Sequence, residues 1–297
     1  MAYKLATIAV IGLATSAVCM GAAAAIGGPK FGDGFDGMFD SRPRCEAVAG
    51  ATETSRTLDW DGGDHLELSI NGRASYAPGS DDKIHASGDP QILAHLRVRK
   101  GDIEMDCRGW RDRTKDLALT LPGREFRKFD IAGGSNLILD KLDQSSLKIE
   151  IAGKADLDQI TAREAEIEIA GSGDVRANGK IDNLEMDIAG SGDADFTQIT
   201  ARMAKVEISG SGTVKAKGSI EELDIQISGS GRADFGEVTS RTAKVEIGGR
   251  GNVDIAPSEE ARAEISGSGE VNLHSNPKRL ETDISGSGRI HRVGPGT

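Results

Sequence analysis

From Ala204 to Ala216 the chain alternates without a break. Ala204, Val206, Ile208, Gly210, Gly212, Val214 and Ala216 share one parity; Lys205, Glu207, Ser209, Ser211, Thr213 and Lys215 share the other. Such alternation predicts a β-strand path with one buried face, because successive strand side chains point to opposite sides. The next stretch repeats it: Leu223, Ile225, Ile227, Gly229, Gly231, Ala233 and Phe235 stand against Asp224, Gln226, Ser228, Ser230, Arg232 and Asp234.

One phrase carries the pattern, Ile-Ser/Ala-Gly-Ser-Gly. Its clear copies begin at Ile169, Ile188, Ile208, Ile227, Ile265 and Ile284, and looser ones at Ile131, Ile151 and Ile247. Successive isoleucines are 20, 18, 19, 20, 19, 20, 18 and 19 residues apart. A period this steady predicts a solenoid, in which each repeat buries its apolar side only against its neighbours. The expected fold is all-β: a parallel β-helix, or β-solenoid, of about 19–20 residues per repeat. Ile169, Ile188, Ile208, Ile227, Ile247, Ile265 and Ile284 are its expected repeat core.

Each copy holds two glycines of inward parity. They are Gly171 and Gly173, Gly190 and Gly192, Gly210 and Gly212, Gly229 and Gly231, Gly267 and Gly269, and Gly286 and Gly288. Glycine weakens a strand interior, so its recurrence predicts a sharp bend or the close approach of another backbone. The serines between (Ser172, Ser191, Ser211, Ser230, Ser268 and Ser287) are then an outward column of hydroxyls.

The connections alternate between two kinds. One reads DLDQITAREA from Asp156, DFTQITARMA from Asp195 and DFGEVTSRTA from Asp234; the other reads RANGKIDNLE from Arg176, KAKGSIEELD from Lys215 and, shorter or diverged, DIAPSEEARA from Asp254. Two geometries fit, one repeat per coil or two repeats in one flattened coil. The first is preferred.

Residues 1–25 have the form of a secretory signal: Lys4 alone is charged, an apolar run follows, and Ala22–Ala25 are small. Cys19 offers a second, less favoured route to the membrane through lipidation, since Val18 before it is not small. Residues 26–44, rich in Gly and Asp, are expected to be a flexible linker. Cys45 and Cys107 are the only cysteines after the signal and are expected to pair in an oxidising compartment. Residues 45–115 read as a small β-rich N-terminal cap, with alternation at Leu66, Leu68 and Ile70 and a brief helical turn at Ile92, Leu93 and Leu96. Trp60 and Trp110 are expected to seal the end of the stack, which residues 116–297 build.

The chain has 297 residues and a formal net charge of −11. That balance argues against nucleic acid and anionic membranes as partners. Aromatics are 4% and there are 39 glycines, which suits a thin core of small and β-branched side chains. No catalytic, cofactor-binding or metal residues stand out. The glycine phrases lack the lysine of a phosphate loop and the frame of a nucleophile elbow. Asp174 and Asp193 follow two of them, but Thr213, Arg232, Glu270 and Arg289 take that place elsewhere, which disfavours calcium. The outward acids Glu168, Asp187, Glu207 and Glu246 come one per repeat and read as a solvated face. His274 and His291 show no partner in the sequence.

Trp60-Asp61-Gly62-Gly63-Asp64, Tyr76-x-Pro78-Gly79 and Gly88-Asp89, followed by reiterated Gly-Ser-Gly, resemble a bacterial envelope family, the putative auto-transporter adhesin head GIN domain. The resemblance spans most of residues 50–290 and implies a parallel β-helix exported to the periplasm or cell surface. It implies no catalytic residues. The expected role is a non-catalytic adhesin, binding or structural module. A carbohydrate-active β-helix enzyme and an envelope accessory protein are the alternatives. The expected partners are an envelope protein or glycan, with homo-oligomers through the solenoid end or side.

Overall fold

The structure is a computed structural model and describes residues 42–293. The predicted signal, Cys19 and residues 26–41 of the predicted linker lie outside the described residues.

Stacking begins earlier than residue 116. After β1 (Ser55–Asp59), strands β2 (His65–Leu68) and β3 (Arg73–Tyr76) already form the first coil. They pair in parallel with β8 (Lys128–Ile131) and β9 (Asn136–Asp140), which follow much later. The chain between makes an excursion: β4 (Lys83–Ser87), a short helix α1 (Pro90–His95), β5 (Leu96–Arg99), β6 (Asp102–Met105), a 3-10 turn (Arg111–Asp116) and β7 (Ala118–Thr120). Asp89 caps α1 by accepting from the Gln91 N–H at 2.8 Å, and Pro90 follows where its missing N–H costs nothing.

The excursion closes the N-terminal end. β6 lies parallel to β2, and β7 lies parallel to β3. β5 then pairs with β6, and β4 with β7 and β1, all antiparallel. Antiparallel partners stop a parallel stack from propagating and shield its unpaired edge.

The coils continue as β10 (Asp143–Ile151), β11 (Lys154–Gly171), β12 (Asp174–Gly190), β13 (Asp193–Gly210), β14 (Thr213–Gly229), β15 (Arg232–Gly249), β16 (Asn252–Gly267), β17 (Glu270–Leu273), β18 (Arg279–Gly286) and β19 (Arg289–Arg292). Together they make a β-solenoid of about nine turns. Each repeat pairs with the next, Ile169 with Ile188, Ile188 with Ile208 and Ile208 with Ile227, so one repeat makes one coil.

A single apolar column follows from that register. It runs Leu68, Ile131, Ile151, Ile169, Ile188, Ile208, Ile227, Ile247 and Ile265, all buried. Burying one such side chain stabilises by roughly 1.5–3 kcal/mol. A second column, Leu157, Ala177 and Phe196, mixes large with small side chains. Ile284 departs from expectation: it is 42% exposed, because among the described residues no further coil stacks on it.

The glycine phrases turn corners. The second glycine of each copy is buried up to Gly269, as its parity requires, and the serine between is exposed. The first glycine is not inward, contrary to its parity. Gly190 stands half-exposed at the bend with φ +127, a conformation other residues rarely adopt. The ladder continues through the corner, where Ser191 N–H donates to the Gly171 carbonyl at 2.7 Å and Ser211 N–H to Gly190 at 2.8 Å.

Candidate functional site: a polar groove on the coil edge

The two kinds of connection differ by one residue. Between β11 and β12 the register runs from Leu157↔Ala177 to Ile160↔Gly179, so β11 carries one extra residue there. That residue is absorbed at Gln159, whose φ of 53 lies in the left-handed region. Lys141, near the same bend one coil earlier, has φ 55. Few non-glycine residues adopt such angles, which cost free energy unless their surroundings hold them.

The surroundings do hold them. Asn178 Oδ1 accepts from the Gln159 N–H at 3.0 Å, and its Nδ2 donates to Asp158 at 2.7 Å. Gly179 completes the step: a Cβ there would stand 2.0 Å from the Ile160 carbonyl oxygen, so only glycine lets the two backbones meet.

The offset opens a groove of about 530 Å3. Lys141, Leu142, Asp143, Gln159, Thr161, Asn178, Lys180, Gln198 and Thr200 are among its lining residues. A shallower hollow of about 400 Å3 shares Asp143, Thr161 and Lys180 and adds Gln144, Ser145, Arg163 and Asp182. The volumes suit a small ligand or one segment of a polymer. Amides, hydroxyls and charged groups of both signs, Asp143 and Asp182 among them, make up most of the lining side chains.

Lys141, Arg163 and Lys180 form no direct ion pair among the described residues. The lysines of the neighbouring face behave differently. Lys128 bridges Asp130 and Glu150, each at 3.1 Å; Lys148 holds Glu166 at 2.8 Å and Glu168 at 2.6 Å; Lys205 holds Glu185 at 2.8 Å and Glu207 at 2.7 Å. Burial alone would lower the Lys148 and Lys205 pKa values, but these carboxylates outweigh it and hold both well above the usual lysine range.

The acids on that face are not simply solvated. Register stacks Glu150, Glu168, Asp187 and Glu207 one above another. Burial and the neighbouring Glu207 and Glu185 carboxylates push the Asp187 pKa up to about 7. Burial raises that of Asp224 as well.

Residues 64–216 and 196–277 match the family described as "Putative auto-transporter adhesin, head GIN domain". The chain belongs to this family. Its fold is shared by a putative lipid binding protein of Parabacteroides distasonis, with 20% identity, a TM-score of 0.61, and 84% of this chain and 99% of that one covered. A putative adhesin of Parabacteroides merdae matches at 16% identity and TM-score 0.61, covering 80% of this chain and 95% of that one. No curated protein matches the chain.

In this head GIN domain the Cys45–Cys107 disulfide is formed, with Cα atoms 4.9 Å apart. His274 has a partner after all: its Nε2 lies 3.1 Å from Asp254, a buried carboxylate that also accepts from Arg232 at 2.8 Å and Asn272 at 3.0 Å. Trp60 packs edge-on against Phe126, with centroids 5.2 Å apart, and the Arg113 guanidinium stands 4.3 Å over the Trp110 ring. His95, Asp106 and Cys107 approach one another. The Cys107 sulfur is in the disulfide and His95 hydrogen-bonds through both nitrogens, so the trio is engaged structurally. The groove residues escaped the sequence reading. Their one signal was the alternation of connection types, which marks where coil length changes.

Proposed function

We propose that this head GIN domain protein is exported to the bacterial envelope and acts there as a non-catalytic binding module. The observation that carries the reading is the groove at Gln159 and Lys180, a concave polar site held by a stack whose backbone is hydrogen-bonded from coil to coil. Sites built on such rigid elements lose little entropy when they bind. The family's adhesin description supports an extracellular role. The alternative of a polysaccharide-cleaving enzyme finds less support. The carboxylates with raised pKa lie along a sheet face, whereas glycoside cleavage needs two carboxyl groups flanking a bond within a cleft. The lipid chemistry in the name of one similar structure finds less support, since amide, hydroxyl and charged residues outnumber apolar ones in both linings.

The test is a glycan array run beside affinity capture from envelope fractions. Retention of a glycan or an envelope component, without turnover, is expected. Cleavage of a polysaccharide would overturn the reading.

A further inference from the structure

The two ends of the stack are finished differently. At the N-terminal end β5 lies antiparallel on β6, and β4 on β7. At the other end, among the described residues, β18 and β19 pair only with the coil before them, through β16 and β17. Its inward positions are apolar. Ile284 stacks on buried Ile265 and is exposed; Ile290 stacks on buried Val271 and is half-buried. Arg289 and Val293 donate their N–H groups back to Gly269 at 3.0 Å and Leu273 at 2.8 Å. Strand N–H groups alternate in direction, so those of Ile290 and Arg292 face the open edge. Such an edge is a template for another strand.

The N-terminal end of another copy cannot supply that strand, because antiparallel partners already close it. The same end of a second copy can. A two-fold axis between two such ends makes the new pairing antiparallel, and the assembly closes as a dimer.

Charge decides how the strands are laid. β18 carries the outward acids Glu281 and Asp283, and β19 the outward Arg289 and His291. β18 laid on its own copy at fullest overlap would set Glu281 against Asp283. β19 laid on its own copy would join two basic strands. Like charges directly opposite one another are destabilising. Laying β18 on the other copy's β19, about an axis at the Ser287 corner, sets Ile284 opposite Ile290 and Asp283 opposite His291. Arg289 is then diagonal to Asp283, within cross-strand reach. Asp283 is otherwise stacked on a like charge, Glu264, and has no direct ion pair among the described residues.

We propose that two copies of this chain associate through their last described coils, with β18 of one antiparallel to β19 of the other about a two-fold axis at Ser287. The contact is one coil deep. It therefore forms at high protein concentration and leaves dilute chains as monomers with Ile284 in water.

The experiment is sedimentation of the full chain over a concentration series. A monomer–dimer equilibrium without larger species is expected. Asp283→Lys should weaken the dimer at least tenfold, and adding His291→Glu should restore most of the loss. Both variants should keep the melting temperature of the dilute protein. Ser287→Cys places a thiol on the axis and should give a covalent dimer on mild oxidation, joined at the substituted positions by peptide mapping. Ser211→Cys, at the same corner in mid-stack and equally exposed, should not. A monomer at every reachable concentration, or filaments that grow without limit, would overturn the proposal. So would a dimer indifferent to Asp283→Lys, or one in which Ser287→Cys links no better than Ser211→Cys.

Discussion

Gly192 sits directly against Ile169 of the preceding coil: a Cβ built on Gly192 would stand 2.5 Å from the Ile169 Cγ2. Gly231 meets Ile208 in the same way, also at 2.5 Å. The isoleucine column and the second glycine of each phrase are thus one packing unit repeated along the stack. The large side chain fills the space that the missing one leaves. Gly231→Ala should therefore overpack the core and cost about 1–3 kcal/mol. Gly63→Ala should be nearly neutral, since nothing lies within 4 Å of its Cβ position. Urea unfolding of both variants checks this, and equal midpoints would refute the packing account.

The same column should lose its sensitivity at its end. Ile227 is 1% exposed and Ile284 is 42% exposed. Ile227→Ala should cost about 2–5 kcal/mol, the range for large-to-small changes in a packed core. Ile284→Ala removes methyl groups that already meet water and should cost well under half as much. Comparable losses at both positions would show that something covers the last coil in solution.

Much of the fold was legible because a strand's inward and outward sides differ at every step. The Ala204–Ala216 alternation states the buried face directly, and the recurrence at Ile188, Ile208 and Ile227 states the stacking. The start of the stack was not legible. β2 and β3 belong to the first coil, but a long excursion separates them from β8, and that breaks the period. The Ile284 exposure was hidden because its own repeat is a clean copy; it differs only because no further coil stacks on it among the described residues. The groove depends on one extra residue between Leu157 and Ile160, which matters only when β11 is laid against β12. The partner of His274 was hidden likewise, because Asp254 lies a full coil away.

The Cys45–Cys107 disulfide closes a sequence separation of 62 and lies beside the N-terminal cap. The Cys45 N–H also donates to the Arg108 carbonyl at 3.0 Å, and the Arg108 N–H to that of Pro43 at 2.9 Å, so backbone bonds brace the link. Its removal should cost about 2–4 kcal/mol, chiefly through the greater freedom of the unfolded chain. Cys45→Ala/Cys107→Ala should lower the melting temperature and make it indifferent to reductant. A variant that melts with the wild type would show that the cap holds without the covalent link.

Stability should also depend on pH in an unusual direction. Asp187 stacks between Glu168 and Glu207, and its carboxyl titrates at about 7 in the folded chain against an ordinary 3.8. Burial is the main cause, Glu207 and Glu185 add to it, and Lys205 relieves it in part. Between pH 3.8 and 7 the folded chain holds a proton that the unfolded chain has released. The contribution of Asp187 is therefore most favourable below the lower value. It declines as pH rises through the interval and is flat above it, opposite to a salt-bridged carboxylate. Linkage alone sets a ceiling of about 4 kcal/mol, and partial exposure should cut this to about 1–2. Asp187→Asn removes the titration but keeps the shape. It should stabilise the protein by that amount at pH 8 relative to pH 4, read as the difference from wild type in urea midpoints across the range. Carboxylates remote from Asp187 contribute equally to both proteins and cancel, whereas Glu207, Glu185 and Glu168, which act on it, are part of the change being read. A difference that stays constant with pH would show that Asp187 does not hold its extra proton in the folded chain and would refute the account.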